Sequence, residues 1–272
     1  MTTIRTAIIQ LNAKPAIEDN LREAEALIRA AAKDGAKLIA TPENTCRMRA
    51  TVPDKLATSH DEASHPAIPH FAKLAKDLGV TLLVGSISSI RDGEKLANRS
   101  FLFRKDGSIA AKYDKLHMFD VDLPNGEKYR ESDTNRAGDK AILGEADGLK
   151  IGMSVCYDIR FPQLYRKLAK QGAEILAIPS AFTVPTGKAH WHVLLRARAI
   201  ENGAFVVAPA QVGEHEGGRS TWGHSMIVDP WGKVLIEIQK DTAGFACADL
   251  DLSEVAKARG AIPSLTHDRD IG

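Results

Sequence analysis

The start of the chain changes hydrophobic period twice within a short span, and that change constrains the fold more than any other feature. Residues 4–11 (IRTAIIQL) are short, apolar and β-branched, with Asn12 and Pro15 behind them, the pattern of a buried strand. Residues 17–32 then place Leu21, Ala24, Leu27 and Ile28 at helical spacing and end at Gly35. Residues 36–41 (AKLIAT) return to a buried-strand pattern closed by Pro42. Strand, helix and strand in this order predict a βαβ-like opening and an α/β layered fold.

The alternation continues downstream. Residues 66–78 predict a helix with Phe71, Leu74, Ala75 and Leu78 on one face, and 80–87 a strand. Strand-like runs at 99–104 and 108–113 flank Lys105-Asp106-Gly107, a hairpin signal. Further strands are expected at 149–155, 174–178, 204–208, 225–228, 233–238 and 243–250, with Asp229-Pro230-Trp231-Gly232 as a turn. Helices are expected at 163–171 and 188–201, the second with Val193, Leu194, Ala197 and Ile200 as its apolar face. Residues 118–148 lack periodicity and read as a loop, too long for a connector and therefore functional in character. No linker, low-complexity tract or repeat divides the sequence, so residues 1–272 are expected to form one domain. Parallel and antiparallel signals are mixed, which argues against a simple eight-fold βα barrel.

Charge and cysteine content exclude several classes. Lys+Arg 36 against Asp+Glu 35 gives net +1, so no basic field invites nucleic acid or an anionic membrane. No apolar run approaches the ~20 residues that a bilayer span needs. The first residues enter the apolar run without a signal-peptide layout, so a cytoplasmic protein is expected. Cys46, Cys156 and Cys247 are odd in number and far apart, which is no disulfide framework and leaves a reactive thiol open.

Three residues follow three separate strands. Cys156 closes the run 149–156, at the strand end where α/β sheets bind ligands, and the next turn aims backbone N–H groups at the sulfur. A buried apolar cysteine is the alternative. Glu43, in Pro42-Glu43-Asn44, is either a solvated loop residue or a base in a cleft, and Lys115, in Tyr113-Asp114-Lys115-Leu116-His117, is either solvated or functional. A thiol of pKa about 8.5 needs a base or a cation beside it to attack at neutral pH. A glutamate can take its proton, and a lysine can stabilise the thiolate and a developing oxyanion. His190 and His192, two apart on a predicted helix, point to different faces, and His117, His215 and His224 lack ligand spacing, so neither metal nor cofactor is expected. A Cys–His protease with His117 or His224 as base is a rival, although neither lies in a recognisable protease context. Cys46 and Cys247 are taken as structural or incidental.

The segments TPEN around Glu43, KYDKLHMFD around Lys115 and VCYDIRFP around Cys156 resemble, in that order, the nitrilase superfamily of carbon–nitrogen hydrolases. The runs PSAFTVPTGKAHWHVLLRARAIENGAFVVAPAQ and WGHSMIVDPWG extend the resemblance over nearly the whole chain. The resemblance implies an α-β-β-α sandwich, paired into a homodimer through helices beside the site. It implies Glu43 as general base, Lys115 as electrostatic stabiliser and Cys156 as nucleophile. It also implies Glu131, in Tyr129-Arg130-Glu131-Ser132, as a second glutamate orienting substrate or Lys115, whereas Glu127 does not sit in the pattern. Residues 118–148 would then wall the pocket.

Within the superfamily the downstream run most resembles the amidases of deaminated glutathione and next the ω-amidases of α-keto acid amides. The expected activity is hydrolysis of a terminal primary amide on a small carboxylate-bearing substrate, through a thioester. An ω-amidase, an N-carbamoyl amino acid hydrolase and a nitrilase share the triad, and a catalytically silent scaffold is the non-enzyme alternative. For substrate contacts the expectation is the Tyr157 N–H at the oxyanion, Arg160 as a carboxylate partner or in a structural ion pair, and Phe182 and Thr183. Thr183 and Thr186 serve either substrate or the turn itself. Asn135-Arg136-Ala137-Gly138 departs from the Pro-Gly common in relatives, and His190-Trp191 is assigned to packing.

Overall fold

The computed structural model describes residues 3–48, 52–124 and 126–269. Two mixed sheets dominate. The first runs Gly244–Asp251, Thr3–Gln10, Leu38–Thr41, Thr81–Asp92, Lys95–Phe103, Ile109–Asp114, parallel at its centre and antiparallel at both ends. The second runs Leu143–Ala146, Leu149–Met153, Ile175–Ala177, Phe205–Ala208, Met226–Val228, Val234–Glu237, also parallel only in the middle.

The two-residue period of the strands builds the layers. Ile39, Leu82, Val84, Phe101 and Phe103 point outward onto Leu21, Ile28, Phe71 and Leu74 of the helices Ile17–Lys33 and Ala67–Leu78. Their alternates Leu38, Ala40, Leu83 and Leu102 point inward to a core shared with Ile151, Met153 and Ile175 of the second sheet. Helices Pro162–Lys170 and Val184–Asn202 cover the far face of that sheet, where Gly152 leaves room for Leu168. The layers are therefore the expected α-β-β-α sandwich, and the sheets do not close into a barrel.

Departures from expectation have local causes. Residues 118–148 are not all loop, because Leu143–Ala146 pairs with Leu149–Met153 as an edge hairpin. Its turn, Asp147-Gly148, has φ of 51° and 88°, the geometry a two-residue hairpin requires and Asp-Gly supplies. The rest holds a short hairpin, Asp120–Asp122 with Lys128–Arg130, and a 3₁₀ turn Glu131–Asp133. Helices Val52–Ala57 and Ser253–Ala261 were not anticipated. Helix Val184–Asn202 begins before residue 188 and turns a different face inward: Trp191, Leu195 and Ala199 are buried. Val193 and Ile200 of the expected apolar face are 68% and 52% exposed. The helix carries two apolar stripes, and the i, i+4 series from the tryptophan, with the larger area to bury, takes the sheet.

Candidate active site

The site forms where the carboxyl ends of both sheets approach. At Gly85 a Cβ would stand 2.5 Å from Pro179 Cγ, so only glycine permits this contact. Glu43 follows Leu38–Thr41 in a turn fixed by Asn44 at φ 60° and by Thr45, whose N–H donates to Ser86 O at 2.9 Å and hydroxyl to Pro42 O at 2.6 Å. Gln211 Nε2 donates to Glu43 O at 2.9 Å, which leaves the carboxylate aimed inward. Lys115 follows Ile109–Asp114, with its N–H on Asn98 O at 3.0 Å. Cys156 opens the 3₁₀ turn Cys156–Arg160 at φ 50°, held in this strained conformation by its N–H on Pro179 O at 2.9 Å.

The structure brings Glu43, Lys115, Glu131 and Cys156 together. Lys115 Nζ, only 2% exposed, donates to Glu43 Oε1 at 3.0 Å and Glu131 Oε2 at 2.7 Å. Glu43 Oε2 accepts the Ala181 N–H at 3.0 Å, and the Cys156 thiol borders the same cavity. Burial acts to raise the Glu43 carboxyl, but Lys115, the neighbouring Cys156 thiol and Arg219 together hold it below the usual carboxylate value. Burial also works against the Lys115 ammonium, yet Glu131 and Glu43 keep it charged, above the ordinary lysine range. Burial and then the Glu43 charge push the Cys156 thiol well up, so the resting sulfur keeps its proton.

The predicted substrate residues line one cavity with the triad: Tyr157, Arg160, Phe182 and Thr183 border it. As second residue of its 3₁₀ turn, Tyr157 has no preceding helical carbonyl to bond, so its N–H is available. Arg160 contacts His190 Nδ1 at 3.3 Å, and among the described residues no carboxylate pairs with it, which removes the structural ion-pair alternative. Thr183 and Thr186 hydroxyls bond each other at 2.8 Å, so both serve the turn at the start of Val184–Asn202. Trp191 is buried against Phe182 at 4.9 Å, in a packing role.

Several residues escaped the sequence. Asn98 Nδ2 donates to Glu43 Oε1 at 2.9 Å and Glu131 Oε1 at 3.3 Å, bridging both carboxylates; it stands just ahead of the run expected at 99–104, where no sequence signal marked it. Phe119 and Ala181 lie inside the matched segments but were given no role there, and Arg219, between two of those segments, also borders the cavity. His117 is bound to Asp158 at 2.7 Å and stacked on Phe161, and His224 is bound to Glu237 at 2.6 Å, so among the described residues neither contacts Cys156. His192, His224 and Glu237 do bring their ligand-type atoms within 4.8 Å of one another, a grouping that linear spacing could not reveal. Cys46 is buried and Cys247 partly buried, and burial, then the nearby Asp34, push the Cys247 thiol up to about 11.

Comparison with known proteins gives consistent matches. The carbon–nitrogen hydrolase family model matches residues 5–260. The deaminated glutathione amidase of Synechocystis sp. is 41% identical over 266 residues, 96% of each chain. The omega-amidase NIT2 of Mus musculus is 35% identical over 271 residues, 99% of this chain and 96% of that one. In three dimensions the C. elegans NitFhit protein superposes with a TM-score of 0.91 at 33% identity, over 98% of this chain and 65% of that one. This chain therefore spans about two thirds of the worm protein's length.

Proposed function

This chain belongs to the carbon–nitrogen hydrolase family and hydrolyses carbon–nitrogen bonds other than peptide bonds, and on that premise we propose that it is a Cys156-dependent amidase. The observation that carries this is one cavity bordered together by Cys156, Lys115 and Glu43, with Lys115 Nζ 3.0 Å from Glu43 Oε1. Because the resting thiol is protonated, Glu43 removes its proton as Sγ attacks the amide carbonyl carbon. The carbonyl π pair moves to oxygen, and Lys115 Nζ with the Tyr157 N–H holds the oxyanion. Glu43 returns the proton to nitrogen, the C–N bond breaks, and an acyl thioester remains on Sγ. Glu43 then takes a proton from water, hydroxide adds to the thioester, and the acid leaves as the thiol is restored. Glu131 and Asn98 fix Lys115 and Glu43 throughout.

Unpaired Arg160 supports an acyl group carrying a carboxylate, as in the deaminated glutathione amidase and omega-amidase relatives. The whole chain works as one domain in the cytoplasm, as a homodimer joined across the exposed side of Val184–Asn202. Among the described residues no helix is long and apolar enough to cross a membrane. The test is release of ammonia or amine from deaminated glutathione, α-ketoglutaramate, an N-carbamoyl amino acid and a nitrile, with Cys156→Ala beside the wild type. Fastest turnover of deaminated glutathione supports the deaminated glutathione amidase branch, a preference for α-ketoglutaramate moves it to the ω-amidases, and activity surviving in Cys156→Ala sinks the chemistry.

A further inference from the structure

Linear spacing argues against a metal site, but the fold gathers three ligand-type side chains from separate elements. His192 lies on the helix Val184–Asn202, His224 just ahead of the strand Met226–Val228, and Glu237 ends the strand Val234–Glu237. One nitrogen of each ring and a carboxylate oxygen lie within 4.8 Å of one another. Both histidines address the same oxygen: His192 Nε2 is 2.9 Å and His224 Nδ1 2.6 Å from Glu237 Oε1. None of the three borders the cavity of Cys156.

The backbones that carry these side chains are tied directly to one another. Trp191, beside His192, donates its Nε1–H to His224 O at 2.8 Å. Met226 pairs with Glu237, and the Ile238 N–H donates to Ser225 O at 2.9 Å, which joins the third position to the second. His224 has φ 54°, a left-handed conformation uncommon outside glycine, and its ring stacks on Trp222 at 4.3 Å. Two imidazoles with one carboxylate suit a divalent transition ion such as zinc, whereas magnesium and calcium take oxygen ligands. Bonds of ~2.0–2.1 Å at tetrahedral angles set ligand atoms ~3.3 Å apart, so Oε1 has to draw back by less than about 1 Å. Little resists that movement: among the described residues Oε2 meets only Gln239 Nε2, at 3.5 Å. We infer that His192, His224 and Glu237 form a binding site for a divalent transition-metal ion of the zinc type. The His192 side chain is 41% exposed, so water reaches the fourth position. Each neutral ring gives the ion the lone pair of its facing nitrogen and carries its proton on the other, by exchange with water, so no net proton is released. The bound ion clamps the helix that opens beside Phe182 and Thr183 to the edge strand Val234–Glu237 of the second sheet. This inference does not depend on the amidase reading.

The rival is a glutamate that holds two histidines by hydrogen bonds and has no affinity for metal. The test titrates Co²⁺ into the full chain carrying Cys156→Ala, after dialysis against a chelator, so that no catalytic thiol competes. One Co²⁺ should bind per chain, with the visible ligand-field bands of nitrogen and oxygen donors. Zn²⁺ should displace it and excess Mg²⁺ should not. His192→Gln and Glu237→Gln should each weaken binding about 100-fold or more, since loss of even an outer partner costs about 10- to 100-fold. His267→Gln, at an exposed histidine elsewhere, should leave the affinity unchanged. If Glu237→Gln fails to fold, His192→Gln decides alone, its position being at the surface. No binding, a sulfur-to-cobalt charge-transfer band, displacement by Mg²⁺, or equal affinity in His192→Gln overturns the inference.

Discussion

The Tyr113 hydroxyl donates to Asp158 Oδ2 at 2.7 Å and so ties the turn of Cys156 to the strand that delivers Lys115. The same oxygen accepts the Val155 N–H at 2.8 Å, and Oδ1 accepts the His117 N–H at 3.0 Å and contacts its Nδ1 at 2.7 Å. A fully buried carboxylate thus joins both flanks of the lysine to the residue before the thiol. Asp158→Asn keeps the shape but turns one acceptor into a donor facing a donor. We expect it to fold, with kcat lowered about 10- to 100-fold and KM nearly unchanged, since it displaces the nucleophile without touching substrate. Asp158→Ala should cost about 3–5 kcal/mol in urea denaturation, by leaving several buried donors unpaired. A KM increase as large as the kcat loss would assign Asp158 to substrate binding instead.

Glu43→Gln tests the direction of proton flow. The amide can still accept from Lys115 on its oxygen, so the fold should hold, but it cannot take the thiol proton. Because burial keeps that thiol protonated, the loss should fall on kcat, by about 10²–10⁴-fold. Alkylation of Cys156 by iodoacetamide should slow in parallel. Undiminished alkylation would mean that the sulfur is activated by another group.

Lys115→Met removes the ammonium that bonds both carboxylates, which Asn98 also bridges. Turnover should fall about 10³-fold through the lost oxyanion contact. Stability at pH 8 should drop by about 3–5 kcal/mol, because an unbalanced charge is left inside. In the wild type the lysine holds the Glu43 carboxyl down against burial. Without it burial wins, the folded value rises above the unfolded one, and the variant should gain stability as pH falls from 8 toward 6. Chemical denaturation at both pH values checks the sign, and further loss on acidification contradicts it.

How much of this was legible in the sequence depends on whether a residue announced itself locally. Glu43, Lys115 and Cys156 each end a strand, and strand ends are periodic features, so their convergence followed from topology. The hairpin at Asp147-Gly148 was equally local and was lost only because the run before it, Leu143–Ala146, is too short and small to show alternation. Helix Val184–Asn202 shows where periodicity fails: two apolar stripes were present, and tertiary packing chose Trp191 over Val193. Asn98 and Arg219 lie outside the matched segments and carry no local pattern, so only the assembled sheets reveal them.

His65 makes part of the stability pH-dependent, away from the site. The Ala67 N–H donates to Nδ1 at 3.2 Å, so that nitrogen carries no proton and Nε2 donates to Ser89 Oγ at 2.8 Å. Burial, then the neighbouring His60 and Arg47, lower its pKa from 6.5 to about 4. Between these values the unfolded chain binds a proton that the native state refuses, so stability is full above pH 6.5 and declines toward pH 4. At pH 5 the deficit should be about 2 kcal/mol relative to pH 7. His65→Gln has no titrating ring and should lose that slope. Equal losses in wild type and variant between pH 7 and pH 5 would place the acid sensitivity elsewhere.

The proposed dimer is tested on the side of Val184–Asn202 that the fold leaves uncovered. Val193 and Ile200 are exposed there, and Trp231 is 62% exposed on the adjacent turn. Arg196 Nε donates to Gly232 O at 2.8 Å, and a Cβ at Gly232 would stand 2.5 Å from Ile200 Cδ1, so turn and helix form one continuous surface. An apolar surface of this kind on a folded chain signals an interface. Val193→Asp puts a charge at its centre without disturbing the core, since the residue is 68% exposed. It should weaken association by about 3 kcal/mol, roughly 100-fold in Kd, and give a folded monomer by light scattering at micromolar concentration. Wild type at monomer mass under the same conditions would reject the dimer, and a Val193→Asp dimer would place its interface on another face.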